Sequence, residues 1–178
     1  HEGAQDYLVK GHSDGRFLVR ALRYAVERSL IAAQLARYAE ELRRKNVQME
    51  ADIQMAREMQ EVFLPQQYPI VPPNVPAEKS ALRFWHRYQP AAAVGGDFFA
   101  VFPISDTAAA VFICDVMGHG LRAALITAVL RGLIEELKPF AADAGGFLTE
   151  INRGLHAILR RTEQVMMATA FYLVIDSA

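Results

Sequence analysis

The sequence predicts an α+β protein in which one very long helix precedes a domain with an antiparallel sheet. No glycine or proline interrupts residues 16–64, whereas ordinary globular helices run roughly 8–20 residues. Five prolines then fall between residues 65 and 76 and favour an extended connector. Beyond residue 80, strand-like segments are followed by helices, without the regular alternation that a parallel sheet requires.

The N-terminal residues predict one further strand. Residues 4–10 are typical of a short buried strand, and residues 11–14 of a turn whose Ser13 or Asp14 caps the long helix. The chain begins with neither an initiator methionine nor a signal-peptide pattern. We therefore expect both ends to be cuts within a longer protein.

Apolar residues recur along the long helix at seven-residue steps. This stripe consists of Leu35, Leu42, Met49, Ala56 and Phe63. Because charged residues cover most of the remaining surface, the helix cannot bury the stripe alone, and a parallel homodimeric coiled coil is favoured. The alternative is a helix packed on its own domain. Polar Asn46 lies near the stripe and predicts a pairing of modest stability.

The region after the connector contains apolar runs typical of strands and segments with helical periodicity. Gly118-His119-Gly120 is the break that opens the first of its helices. The predicted strands span residues 82–88, 98–103, 108–115 and 168–175, and the predicted helices span 121–137 and 147–161.

Composition excludes several classes of partner. The 19 basic and 20 acidic residues give a net charge of −1, so no basic surface calls for nucleic acid. The apolar runs are broken before the 18 or so residues of a membrane span, so we expect no membrane partner. The single cysteine, Cys114, excludes an internal disulfide framework and favours the cytoplasm.

Two acids each lie beside glycines at a strand end. Asp97 follows Gly95-Gly96, and Asp115 closes an apolar strand just before Gly118. Hard divalent cations such as Mg²⁺ or Mn²⁺ prefer such carboxylates, and neighbouring glycines let backbone carbonyls approach an ion. The alternative is purely structural, with a Gly-Gly-Asp turn and an aspartate that caps a helix. Cys114 itself is expected to be a small core residue, and His119 either shapes its turn or lies near the metals.

Four stretches in order resemble the SpoIIE/RsbU branch of the PPM (type 2C) protein phosphatases. They are AREMQEVFLP at 56–65, AAAVGGDFF at 91–99, VFICDVMGHGLRAAL at 111–125 and MATAFY at 167–172. The resemblance implies an α-β-β-α sandwich with two Mn²⁺ or Mg²⁺ ions. Asp97 and Asp115 would be the catalytic metal ligands, joined by the backbone carbonyl of Val116. The ions would activate water for attack on phosphoserine or phosphothreonine.

The same resemblance implies a substrate, and the sequence departs from the family's motifs at two points. The family's usual substrate is a phosphorylated anti-sigma-factor antagonist of the STAS type. A second acid that commonly follows the Gly-Gly-Asp motif is here Ala100, which removes a charge. The later motifs that supply two more metal-binding aspartates are not found before Ala178. We therefore expect about half a metal site, and weak or absent catalysis from these residues alone.

The N-terminal residues resemble the end of a response-regulator receiver domain. The match lies in GAQDYLVKG at 3–11 and FLVRALRYAVER at 17–28, and Lys10 would be the lysine that contacts the phosphoryl group. A sensor histidine kinase would then be the upstream partner. The predicted domains are a receiver end at 1–30, a coiled-coil linker at 31–65, a connector at 66–79 and the first part of a phosphatase domain at 80–178.

Two functions from different classes remain open at this stage. The first is a response-regulator output module, a metal-dependent serine/threonine phosphatase in which the linker carries the signal. The second is a catalytically inactive dimeric scaffold that binds a signalling partner through a degenerate phosphatase fold. Intact Asp97 and Asp115 favour the enzyme, and Ala100 favours the scaffold.

Overall fold

The computed structural model describes residues 15–90, 92–160 and 166–178. The chain divides into two compact units, one ending at Ala51 and the other comprising Asp52–Ala178. The predicted N-terminal strand at 4–10, its turn and Lys10 lie outside the described residues. The division into four predicted segments stays a prediction.

The predicted long helix is confirmed as α1, Gly15–Phe63, which has 49 residues. Ion pairs one turn apart support it, at 3.2 Å between Glu40 and Arg44 and 2.7 Å between Glu41 and Lys45. Most of the apolar stripe faces solvent within the single chain, with Leu42 63% exposed and Met49 57% exposed, whereas Phe63 at its end packs against the hydrophobic core. The coiled coil that would cover the stripe stays a prediction. Among the described residues, no helix has the length and apolarity to cross a membrane.

The connector after α1 contains one short 3₁₀ helix, Ala77–Lys79. Val71 is fully buried and fixes its course, because its N–H donates to the Ser80 hydroxyl at 3.0 Å and its carbonyl accepts from the Ala81 N–H at 2.7 Å. An extended connector was predicted, and these contacts add that it is anchored rather than loose.

The strand predicted at 82–88 is wrong, because these residues lie outside every strand of the structure. A strand needs a backbone ladder with a neighbour, and alternation of side chains alone does not provide one. Here aromatic side chains hold the segment instead. The Phe84 ring lies 5.6 Å from that of Tyr68, and the His86 ring lies 4.7 Å from that of Phe99.

The remaining strands form a three-stranded antiparallel sheet in the order β1-β2-β3. They are β1 (Asp97–Pro103), β2 (Ala108–Val116) and β3 (Ala168–Asp176). The three strand predictions from residue 98 onward are therefore confirmed, each within about one residue at either end. The sequence also predicted the antiparallel arrangement.

Two helices pack on one face of this sheet. The first, α2 (Leu121–Leu137), has the predicted bounds, and the second, α3 (Ala144–Leu159), begins three residues before the predicted start. The earlier start follows from Asp143, whose carboxylate accepts from the Gly145 N–H at 3.1 Å and caps the helix. The cap outweighs the low helix propensity of Gly145 and Gly146.

The sheet has two unlike faces. The face toward α2 and α3, here called the core face, consists of Phe98, Ala100, Phe102, Ala110, Phe112, Cys114, Val116 and Tyr172. The opposite one, here called the open face, consists of Asp97, Phe99, Val101, Val111, Ile113, Asp115, Thr169, Phe171 and Leu173. Mixed helix and sheet is thus confirmed, while the second sheet of the expected sandwich stays a prediction.

Candidate metal centre

Asp97 and Asp115 lie directly opposite each other in the sheet. They are register partners of β1 and β2, so both side chains project from the open face, where both residues are exposed. Opposed residues in an antiparallel pair have Cα atoms about 4.5–5.5 Å apart. Two like charges at this spacing destabilise a sheet unless a cation lies near them.

Gly96 explains why Asp97 begins its strand at this point. The Gly96 carbonyl accepts from the Val116 N–H at 3.1 Å. A Cβ at position 96 would lie only 2.3 Å from the Val116 carbonyl oxygen, so the close approach requires glycine. The third predicted ligand atom, the carbonyl of Val116, is consequently in contact with the loop that carries Asp97.

Two side chains that the sequence analysis did not single out hold this loop. Gln60 lies in the last turn of α1. Its side-chain amide donates a hydrogen bond to the Gly95 carbonyl and accepts one from the Gly95 N–H. The Tyr88 hydroxyl donates to the backbone carbonyl of Asp97 at 3.2 Å. The pKa of Tyr88 is raised by burial first, and then by the negative charges of Asp97 and Glu61. The sequence around Gln60 gave no signal for its role, because the polar residues Glu58 and Glu61 lie in the same turns of the helix.

The turn after Asp115 depends on two glycines. Gly118 has a φ of 94° and Gly120 a φ of 76°, a left-handed conformation that glycine adopts without steric cost. His119 is exposed between them. The predicted break before α2 is confirmed, and a shaping role for the turn belongs to the two glycines.

Cys114 is a core residue, as predicted. It is buried on the core face, next to Asp115 in sequence but on the other side of the sheet. Burial, followed by the charges of Asp115 and Asp97, raises the pKa of its thiol to about 12. A thiol that stays protonated at neutral pH is a poor nucleophile.

The oxygen atoms of Asp97, Asp115 and Val116 are of the type that a hard divalent cation prefers, but there are too few of them to complete its coordination shell. Carboxylate and carbonyl oxygens are what Mg²⁺ and Mn²⁺ prefer. Within residues 15–90, 92–160 and 166–178, however, no group of three or more His, Cys, Asp or Glu side chains could hold a metal. Asp97, Asp115 and the Val116 carbonyl would therefore form only part of a metal's ligand set.

Ala100 does not lie on the same face of the sheet as Asp97 and Asp115, where the absent second acid was expected to contribute a charge. It is fully buried on the core face, opposite Phe112, whereas Asp97 lies on the open face. A side chain at position 100 points away from the two acids, since faces alternate along a strand. Alanine here removes no group that could join Asp97 and Asp115.

A groove of about 500 Å³ adjoins Asp97. It lies between the aromatic segment 84–89 and the open face, and Asp97, Phe99 and Ile113 form part of its wall. The Tyr68 hydroxyl and His86 Nδ1 share a hydrogen bond at its edge. The carboxylate of Asp97 therefore borders a partly apolar depression rather than a flat surface.

Comparison with known proteins gives three findings. Residues 105–178 match the family described as Stage II sporulation protein E (SpoIIE). The chain is similar to phosphoserine phosphatase RsbP of Bacillus subtilis (strain 168), with 32% identity over 92 residues that cover 51% of this chain and 23% of that protein. The SiaA-PP2C domain of Pseudomonas aeruginosa is 22% identical, with a TM-score of 0.47, over 70% of this chain and 48% of that one.

The chain thus spans less than a quarter of the curated relative that it matches. The predicted resemblance is confirmed for the C-terminal part, while the receiver-like N-terminus stays a prediction. Residues 105–178 thus match the SpoIIE family, and about half of the chain is similar to a phosphoserine phosphatase.

Proposed function

We propose that this chain contributes the first metal ligands of a PPM-type protein serine/threonine phosphatase. The observation that carries the proposal is the opposed pair Asp97 and Asp115, which projects from the open face of a sheet whose second strand lies in the segment that matches SpoIIE. Two adjacent carboxylates on an exposed strand end are unfavourable for stability alone, and a divalent cation between them would remove that cost.

The residues of this chain would bind and position, and would not form a covalent intermediate. Asp97 and Asp115 would offer carboxylate oxygens, and Val116 its backbone carbonyl. Gly96 lets the Asp97 loop approach the end of β2, and the buried core face keeps both strand ends in register. Two Mn²⁺ or Mg²⁺ ions, when bound, would supply activation of water for hydrolysis of phosphoserine or phosphothreonine.

The substrate proposal rests on the relative. RsbP is a phosphoserine phosphatase by name, which supports a phosphorylated serine in a protein as the substrate class here. We infer that a STAS-type anti-sigma-factor antagonist is the substrate. A receiver domain phosphorylated by a sensor histidine kinase would be the input, and the cytoplasm the location. The receiver-like motif and the single cysteine support these two inferences.

The decisive experiment compares two acids in the protein expressed from its complete open reading frame. Asp115→Asn should reduce Mn²⁺-dependent hydrolysis of a phosphoserine peptide by at least about 100-fold, because a ligand charge is lost. Asp106→Asn, an exposed acid outside the site, should leave the rate unchanged. Retained activity in Asp115→Asn would refute the catalytic role, and the 178-residue chain alone should turn over weakly or not at all.

A catalytically inactive scaffold is the second candidate function, and Ala100 was the feature that favoured it. The burial of Ala100 on the core face weakens this argument, since the position does not face the acids. A scaffold would bind the phosphorylated partner without Mn²⁺ and without releasing phosphate. Measuring phosphate release and binding on the same sample separates the two functions.

The homodimer is proposed from the apolar stripe of α1. Leu42 lies on the stripe, whereas Val47 is 58% exposed and lies off it. Leu42→Lys should convert a dimer to a monomer in analytical ultracentrifugation, and Val47→Lys should not, because only the first places a charge in the helix interface. A wild-type chain that is monomeric at tens of micromolar would contradict the coiled coil.

A further inference from the structure

Gln60 is the one buried residue of α1, and its side chain is polar. It is 4% exposed, while the large apolar residues around it in the helix, such as Met59 and Val62, face solvent. Among the described residues, only Gln60 and Thr127 are both polar and buried. A buried amide is costly unless its donor and acceptor are both used, so the partners of Gln60 indicate what it does.

Those partners belong mainly to the loop that carries Asp97. The Gln60 amide nitrogen donates to the Gly95 carbonyl at 2.8 Å, and its oxygen accepts from the Gly95 N–H at 3.1 Å. The same nitrogen also donates to the Thr127 hydroxyl of α2 at 3.2 Å. One side chain thus replaces a neighbouring strand for Gly95, satisfying its donor and its acceptor together.

The position of Gly95 leaves little freedom beyond these bonds. A Cβ there would lie 3.3 Å from Pro90 Cβ, and the Gly96 carbonyl next to it accepts from Val116. The loop is therefore pinned at Gly95 by Gln60 and at Gly96 by the end of β2. Asp97 follows at once and enters β1 opposite Asp115.

We propose that Gln60 is a positioning residue for the metal loop, which holds Gly95–Asp97 so that the Asp97 carboxylate faces Asp115. Its role in metal binding rests on the proposed function, but its role in fixing the loop does not. Residues that orient metal ligands without touching the metal typically contribute about 10–100-fold to metal affinity.

Three variants of the 178-residue chain test this proposal. Gln60→Leu keeps the bulk and removes both polar atoms. Gln60→Glu tests the chemistry, because only a protonated carboxyl can both donate to the Gly95 carbonyl and accept from its N–H. Gln66→Leu is the matched control, since Gln66 is an exposed glutamine that donates to the Glu61 and Leu64 carbonyls and not to the loop.

The first readout is the backbone amide signals of residues 95–97 in NMR, with their hydrogen-exchange protection, in the absence of metal. We expect Gln60→Leu to lower protection of the Gly95 amide at least 10-fold and to shift the Asp97 signal, with core amides such as that of Phe112 unchanged. Gln66→Leu should change neither. Wild-type protection in Gln60→Leu would overturn the proposal.

The second readout separates positioning from packing. Burial should raise the pKa of a glutamate at position 60, since burial disfavours its charged form. The NMR amide signals of residues 95–97 in Gln60→Glu should therefore resemble those of wild type at low pH. The resemblance should disappear as the carboxyl group ionises. A pH-independent spectrum would indicate a packing role only and would overturn the proposal.

The third readout is Mn²⁺ alone, followed through paramagnetic broadening of the Asp97 and Asp115 signals. We expect Gln60→Leu to bind at least 10-fold more weakly than wild type and Gln66→Leu to match wild type. If wild type binds and Gln60→Leu binds equally well, the role in metal binding is refuted. If wild type shows no broadening, the ligands of this chain alone do not bind Mn²⁺, and the metal-free readouts decide whether Gln60 fixes the loop.

Discussion

The two faces of the sheet differ in what their side chains can contribute. On the core face, Phe98 and Phe112 are almost completely buried against α2 and α3. On the open face, Ile113 is 50% exposed and Phe171 57% exposed, and the strand ends carry Asp97 and Asp115. The same three strands thus provide stability on one side and donor atoms on the other. Neighbouring residues such as Phe112 and Ile113 allow the two contributions to be separated.

Substitution of these two neighbours should give the largest contrast. Phe112→Ala should lower the free energy of unfolding by about 3–5 kcal/mol, because it leaves a cavity in the core. Ile113→Ala should cost roughly 1 kcal/mol or less, since half of the side chain is already in water. Urea denaturation followed by circular dichroism measures both. Equal losses would mean that the open face is covered in solution.

Tyr172 gives a smaller effect that depends on pH. Its ring packs 4.6 Å from Phe147, and its hydroxyl donates to the Ala141 carbonyl at 2.6 Å. Tyr172→Phe should cost about 1 kcal/mol of stability, the usual contribution of one such bond. Thermal denaturation at neutral pH checks this value.

Burial raises the pKa of Tyr172 to about 12, from 10.0. Since the folded-state pKa is the higher one, the stability that this shift represents is fully present below pH 10 and is lost as the pH rises through about 12. Wild type should therefore lose its advantage over Tyr172→Phe in this window. A constant difference between the two from pH 8 to 12 would show that the hydroxyl does not ionise differently in the folded state.

The smallest expected change in stability is a gain rather than a loss. Without metal, Asp115→Asn should raise stability by roughly 0.2–1 kcal/mol, because it removes a like charge opposite Asp97. Asp106→Asn should change stability little, as that exposed acid lies in the turn between β1 and β2. Adding Mn²⁺ should reverse the order and stabilise wild type over Asp115→Asn. A loss of stability in metal-free Asp115→Asn would indicate that the carboxylate has a structural partner.

Much of the fold follows from local sequence signals. The long gap without glycine or proline predicted α1, and the Gly118-His119-Gly120 break predicted the start of α2 at Leu121. Apolar runs located the three strands of the sheet. These signals are reliable because each one reflects the backbone chemistry of its own segment. The motif resemblance likewise predicted the SpoIIE family, which the comparison confirms for residues 105–178.

What the sequence did not predict depends on contacts between distant segments. Residues 82–88 alternate like a strand, but a strand is defined by a partner, and their contacts are made by the rings of Phe84 and His86. Gln60 contacts Gly95, 35 residues away, and nothing in the helical pattern of α1 indicates that a glutamine is the residue that becomes buried. The motif resemblance did predict that Asp97 and Asp115 converge, and they are register partners, but spacing along the chain alone does not determine that register.

The contact at Gly96 has a consequence for how variation in this protein should be interpreted. Position 96 offers no functional group, yet a single methyl there would meet the Val116 oxygen at 2.3 Å and the Ala123 methyl at 3.3 Å. Saturation mutagenesis should consequently score this residue as intolerant to every replacement, alanine included. Such a profile would normally mark a catalytic side chain, but here it would record only the space between three backbone segments.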